Sequence, residues 1–143
     1  MAHTDCAYCM IGENDELVGA FGIPVCDLPA SRLILFKEQS HPGRCIVASK
    51  QHVDDISDLT EEESAAFMAD VRHVAAALHK AFSPDKINFG AYGDTMHHLH
   101  FHLVPKYASD SFEFGDVFAM NPGRVTLTDG EYAELAKKIV DAL

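Results

Sequence analysis

The chain has 143 residues, of which 48% are hydrophobic and 23% charged, with a formal net charge of −11. That length carries one hydrophobic core and is short for two, so residues 1–143 read as a single domain, and the composition excludes a disordered chain. So acidic a balance argues against nucleic-acid binding, which needs clustered Lys and Arg, but leaves room for a small phosphorylated ligand held by local cations or a helix terminus.

Met1 to Cys6 shows no basic segment followed by an apolar run, so no secretory signal is expected there. No stretch approaches 18 apolar residues, so no membrane span is expected, and the chain reads as cytoplasmic. Asp5 to Asn14 is a loop carrying the C-x-x-C of Cys6 and Cys9. In a reducing compartment that spacing points to metal or redox chemistry before a structural disulfide. Cys26 and Cys45 stand alone among apolar neighbours and read as small buried hydrophobes.

Glu16–Phe21, Val25–Leu28 and Arg32–Phe36 read as short strands, with turns at Gly22-Ile23-Pro24 and Pro29-Ala30-Ser31. Lys37–Gly43 is a polar loop, and Arg44–Ser49 is an apolar strand suited to the middle of a sheet. Val53–Ile56 suits one helical turn. Thr60 and Glu63 have the spacing of a capping box, opening a helix whose Phe67, Val71, Val74, Ala75, Leu78 and Phe82 form one apolar stripe. Ser83-Pro84 ends it. Lys86–Gly90 is a strand that returns through Ala91–Asp94 into the stretch His97–Pro105.

In that stretch His98, His100 and His102 alternate with Leu99, Phe101 and Leu103. Side chains of a strand alternate between faces, so the three imidazoles share one face and the apolar set packs behind them; a helix would scatter both. His97 falls on the opposite face. Three imidazoles on a half-buried strand suit either a metal site or a nucleophile with its helpers. A metal site would need a carboxylate, and Glu113 and Asp116 are the nearest acids downstream, without a defined spacing. Ala108–Arg124 is irregular, anchored by Phe112, Phe114 and Phe118. A second capping box, Thr128 to Glu131, opens a last helix with Tyr132, Leu135 and Ile139 on one side. Strands, helix, strands, helix in that order predict an α+β fold: an antiparallel sheet of about five strands with one long helix and a C-terminal helix.

The run His98-Leu99-His100-Phe101-His102-Leu103-Val104 resembles the signature of the histidine triad (HIT) family, in which histidine alternates with apolar residues. Gly93-Asp94-Thr95-Met96 is similar to that family's lead-in, with Asp94 where glutamine is usual. Gly43–His52 is similar to its strand ending in Pro-Lys-x-His, with Ser49 in place of the proline. The likeness covers about residues 6–107 and leaves 108–143 without an assigned role. It implies a HIT-like fold and a homodimer. It implies a nucleotide hydrolase acting on nucleoside phosphoramidates, dinucleoside polyphosphates or related derivatives through a covalent nucleotidyl-histidine. In that reading His100 is the nucleophile, His102 assists the leaving group and Thr95 donates to a phosphoryl oxygen. Asn88 would reach the phosphate, and Glu38 the ribose hydroxyls. In the zinc-containing branch Cys6, Cys9, His52 and His98 would hold a structural zinc. Two other readings stand beside it: a nucleotide-binding sensor or adaptor with incidental turnover, and a metal-dependent hydrolase using the histidine cluster as ligands. Arg44 and Lys106 are the cations best placed to offset the acidic field.

Overall fold

The computed structural model describes residues 3–143; Met1 and Ala2, the start of the stretch read for a secretory signal, lie outside the described residues. Five strands form one antiparallel sheet: β1 (Gly22–Asp27), β2 (Ser31–Phe36), β3 (Cys45–Ser49), β4 (Lys86–Gly90) and β5 (His100–Lys106), in the order β1-β2-β3-β5-β4. Three helices accompany it, α1 (Glu16–Gly19), α2 (Glu61–Phe82) and α3 (Asp129–Ala142), with a 3₁₀ turn at Ile56–Asp58. This is the α+β arrangement expected from the sequence. Among the described residues no helix is long and apolar enough to cross a membrane.

Thr60 and Thr128 cap α2 and α3 as their spacing predicts, each accepting from the third helical amide while Glu63 and Glu131 reach back. The α2 stripe of Phe67, Val71, Val74 and Leu78 is buried against Leu33, Leu35, Val47 and Leu103, and α3 adds Tyr132 and Ile139 to the same core. Each such side chain contributes about 1.5–3 kcal/mol of apolar burial. The two long helices, α2 and α3, therefore cover one face of the sheet. Ser83, in the left-handed region at φ 49°, closes α2 where Ser83-Pro84 was expected to.

The other face carries a second cluster, with Ile34, Phe36, Ile46 and Ala48 of the sheet packed under Ala7, Tyr8 and Val18 of the N-terminal segment. Residues paired directly across an antiparallel ladder share a face. His102 pairs with Ile46 and His100 with Ala48, so both imidazoles belong to this second face, while Phe101 and Leu103 pair with Val47 and Cys45 toward the helices. The alternation read from the sequence holds.

Four local expectations are corrected. Glu16–Phe21 is not a strand: Glu16–Gly19 is one helical turn, its amide at Gly19 bonded to the Asp15 carbonyl, and only Val18 is buried. Gly22-Ile23-Pro24 is not a turn but the start of β1, an edge strand whose register shifts between Pro24 and Cys26. An edge and a bulge are where proline costs no ladder bond. Gly22 is required there by contact, since a Cβ would stand 2.5 Å from Ile34 Cγ2. The helical turn falls at Ile56–Asp58 rather than Val53–Ile56, because Asp55 caps it through Ser57 N. Finally, β5 begins at His100, not His97. His98 N bonds to Met96 O and Leu99 N to Val53 O, so this approach is held by loop contacts. Cys45 is buried as expected, whereas Cys26 is only partly so.

Candidate functional site

The face of the sheet opposite α2 and α3 holds two adjoining centres, joined through His98. At the first, Cys6, Cys9, His52 and His98 bring one ligand atom each within 4.8 Å of one another. Cys6 Sγ lies 3.3 Å and Cys9 Sγ 3.5 Å from His98 Nδ1; Cys9 Sγ and His98 Nδ1 each lie 3.1 Å from His52 Nδ1. A tetrahedral zinc, with bonds of about 2.3 Å to sulfur and about 2.0–2.1 Å to nitrogen, sets its ligand atoms roughly 3.3–3.8 Å apart. The donor set and its edges suit that ion, and the four atoms could hold it with a closed coordination sphere.

The protonation of His98 agrees. Its Nε2–H donates to the Ser49 carbonyl at 2.7 Å, which leaves a lone pair on Nδ1 facing the cluster. Burial holds this imidazole down to about 4, so Nδ1 stays unprotonated at neutral pH. Burial and the neighbouring Cys6 thiol push Cys9 up to about 12, the behaviour of two thiols crowded together without a cation between them. Tyr8, inside the C-x-x-C, is carried by this loop over the triad, its ring 5.2 Å from that of His98 and 4.9 Å from that of His100.

The second centre is a pocket of about 430 Å³ whose wall includes His100, His102, Thr95, Asp94, Tyr92 and Met120. His100 Nδ1–H donates to the His98 carbonyl at 2.6 Å. That bond fixes the tautomer, leaving the Nε2 lone pair free. Burial lowers the His100 pKa against the opposing effect of this hydrogen bond, so the ring is neutral at pH 7. His102 sits beside it, ring centroids 5.3 Å apart, with Phe36 and Phe118 packed on its other sides. Thr95 is exposed at the pocket wall and free to donate.

The remaining expected residues are placed elsewhere. Asn88 lines a separate depression with Lys86, Lys106 and Phe118. The Glu38 carboxylate accepts from the amides of Ser40 (2.7 Å), Val125 (3.0 Å) and Arg124. It thereby anchors the segment that follows β5 instead of facing the histidines. His97 is exposed and paired with Asp54. Glu113 is committed to His41 Nε2 and to the Ala119 amide, and Asp116 gives only its carbonyl, to Lys106. Neither acid joins a metal-binding group with the triad. Tyr8, Tyr92 and Met120 were not anticipated as pocket residues. Tyr8 alone had a signal, because a metal shared by Cys6, Cys9 and His98 must bring the residue between the cysteines to the triad.

Comparison with known proteins agrees with this geometry. A family model described as HIT domain matches residues 25–109. A bis(5'-adenosyl)-triphosphatase from Dictyostelium discoideum is 30% identical over 80 residues, covering 52% of this chain and 53% of that protein. The chain thus spans about half the length of that curated relative. A histidine triad protein from Sinorhizobium meliloti superposes with a TM-score of 0.80 at 26% identity, over 91% of this chain and 96% of the other. A zinc-bound histidine triad family protein from Mycobacterium smegmatis shares the fold, with a TM-score of 0.67 at 22% identity over 95% and 94% of the two chains.

Proposed function

Because the chain belongs to the HIT domain family, we propose that it is a nucleotide hydrolase in which His100 forms a covalent nucleotidyl intermediate. The observation that carries this reading is the 2.6 Å bond from His100 Nδ1 to the His98 carbonyl, which presents a neutral Nε2 lone pair in a pocket. That nitrogen attacks the α-phosphorus of a nucleoside phosphoramidate, dinucleoside polyphosphate or related derivative. As the N–P bond forms, the bond to the leaving group breaks and its electron pair departs with that group. Water then attacks phosphorus, and the N–P electron pair returns to His100. Imidazole suits both steps, since it is a competent nucleophile and a tolerable leaving group. Thr95 donates to a phosphoryl oxygen, and His102 stands on the leaving-group side. The proposal rests on these three residues, with Asn88 and Glu38 outside the pocket as folded.

Cys6, Cys9, His52 and His98 are proposed as ligands of a structural zinc. The ion ties the N-terminal loop to the approach of β5, and with it the carbonyl that orients His100. A small nucleotide is the substrate, and a homodimer the assembly. His100→Asn, assayed against diadenosine tetraphosphate and an adenosine phosphoramidate, tests the nucleophile. The expected result is a folded protein that still binds AMP and has lost at least 10³-fold in kcat, on the order seen when a covalent nucleophile is removed. A folded variant with full hydrolysis of either substrate would refute the assignment.

A further inference from the structure

Arg44 is fully buried and has no carboxylate partner. Its guanidinium lies 4.1 Å from the Phe36 ring centroid and 5.0 Å from that of Phe118. Nη1 donates to the Ala119 carbonyl at 3.0 Å and Nη2 to the Met120 carbonyl at 2.9 Å, while Nε finds no acceptor. Nη2 also stands 3.3 Å from His102 Nδ1. A buried cation without a counter-ion is costly, and one aimed at a pocket histidine calls for a reason.

A guanidinium only donates. His102 Nδ1 must therefore accept, and the ring proton resides on Nε2. A second proton on Nδ1 would meet the arginine donor head-on. From this geometry we infer that Arg44 holds His102 as a neutral hydrogen-bond donor and so suits the site to nucleotides whose leaving group departs as a phosphate rather than as an amine.

This role of Arg44 rests on the hydrolase reading and narrows its substrate class. A phosphate leaves as a stable anion: the pair of electrons of the breaking P–O bond stays on its oxygen, and no proton is required. An amine leaving from phosphorus needs a proton on nitrogen as the P–N bond breaks. A neutral imidazole is a poor source of one, since giving up its remaining proton would leave an imidazolate. Neutral His102 can still donate its Nε2–H as a hydrogen bond to charge growing on a phosphate oxygen.

The surroundings of His102 support this state. Burial and then the Arg44 charge hold its pKa down to about 3, with a further contribution from His100. The groups packed around it are Arg44 ahead of β3, Phe36 of β2, His100 of its own strand, Tyr92 of the preceding loop and Phe118 of the segment after β5. None is an acid. Glu38 and Glu113 lie within electrostatic reach of Arg44 but spend their oxygens on backbone amides and on His41.

The test uses the full chain loaded with zinc. Nitrogen-15 spectra of the native protein should show His102 neutral, with its proton on Nε2, from pH 5 to 8. In Arg44→Met the fixed donor to Nδ1 is gone, so the spectra should show the Nδ1–H tautomer populated and protonation of His102 setting in at a higher pH than in the native protein. The ratio of kcat/KM for diadenosine tetraphosphate to that for an adenosine phosphoramidate should fall at least tenfold in the same variant. Arg44→Lys, which keeps the cation, should retain most of the native ratio. Native His102 carrying its proton on Nδ1, or both protons at pH 7, would overturn the inference; so would a folded Arg44→Met with an unchanged ratio. Should the methionine variant not fold, the native spectrum and the lysine variant decide. If neither nucleotide is hydrolysed by the native protein, the hydrolase reading fails while the His102 spectrum still judges the role of Arg44.

Discussion

Removing the metal is expected to loosen the site before it unfolds the sheet. The proposed ligands come from three segments far apart in sequence: Cys9 and His52 are 43 residues apart, and Cys6 and His98 are 92 apart. A cross-link closing loops of that size restricts the unfolded chain by about 4–5 kcal/mol in a chain-entropy treatment. Mass action gives a similar scale, about 4 kcal/mol when free zinc exceeds its dissociation constant a thousandfold. For a chain of this length 1 kcal/mol moves the melting temperature by about 3–4 °C. Chelation should therefore lower it by about 12–16 °C. Calorimetry of the zinc-loaded and chelated protein, with metal content measured alongside, reads this directly. Cys9→Ser should bind well below one equivalent and melt near the chelated value, while its folded fraction still hydrolyses nucleotide. Equal melting temperatures with and without chelator would refute the zinc assignment. Loss of all hydrolysis from a chelated protein that keeps its fold would instead make the metal catalytic.

Two further predictions concern the pocket and the segment beside it. Asp94 places a carboxylate on the pocket wall, so Asp94→Asn should lower KM for an anionic nucleotide about two- to fivefold at low salt, with the gain fading as salt screens it; an unchanged KM at low salt would mean that the carboxylate does not face the phosphates. Burial pushes the Glu38 carboxyl up, but the amides of Val125, Ser40 and Arg124 outweigh it and hold the group below its usual 4.5. A depressed folded value means the stabilisation is present above the unfolded pKa and is lost as pH falls through the folded one. The protection factors of the Arg124 and Val125 amides should accordingly fall in the native protein as pH drops below the usual carboxyl value of 4.5, and Glu38→Gln should show lower protection at pH 7 with little further change in acid.

How legible this was depended on whether the information was local. The period-2 alternation of His98–Leu103 showed which imidazoles share a face, because strand parity is a property of the backbone. The capping boxes at Thr60 and Thr128 located both long helices for the same reason. Where the sequence misled, contacts made elsewhere in the chain decided. Leu17 and Val18 are too short an apolar run to distinguish a helical turn from a strand. Gly22-Ile23-Pro24 has turn chemistry, yet pairing with Leu35 and Phe36 draws it into an edge strand. The role of Arg44 was the least legible. Its acceptors are the carbonyls of Ala119 and Met120, 75 and 76 residues away in a segment without regular structure. The same segment supplies the amides that occupy Glu38, so a carboxylate that resembles a ribose ligand in sequence serves as an anchor in the fold.

The proposed reaction turns on His100 Nε2 becoming bonded to phosphorus. The direct measurement is mass spectrometry of protein mixed briefly with diadenosine tetraphosphate and quenched in alkali, which preserves an N–P bond. A nucleotidyl adduct mapped to His100, formed no more slowly than turnover and absent from His100→Asn, is the predicted result. An adduct on another residue, or turnover with single inversion at the α-phosphorus and no adduct at any time, would contradict it.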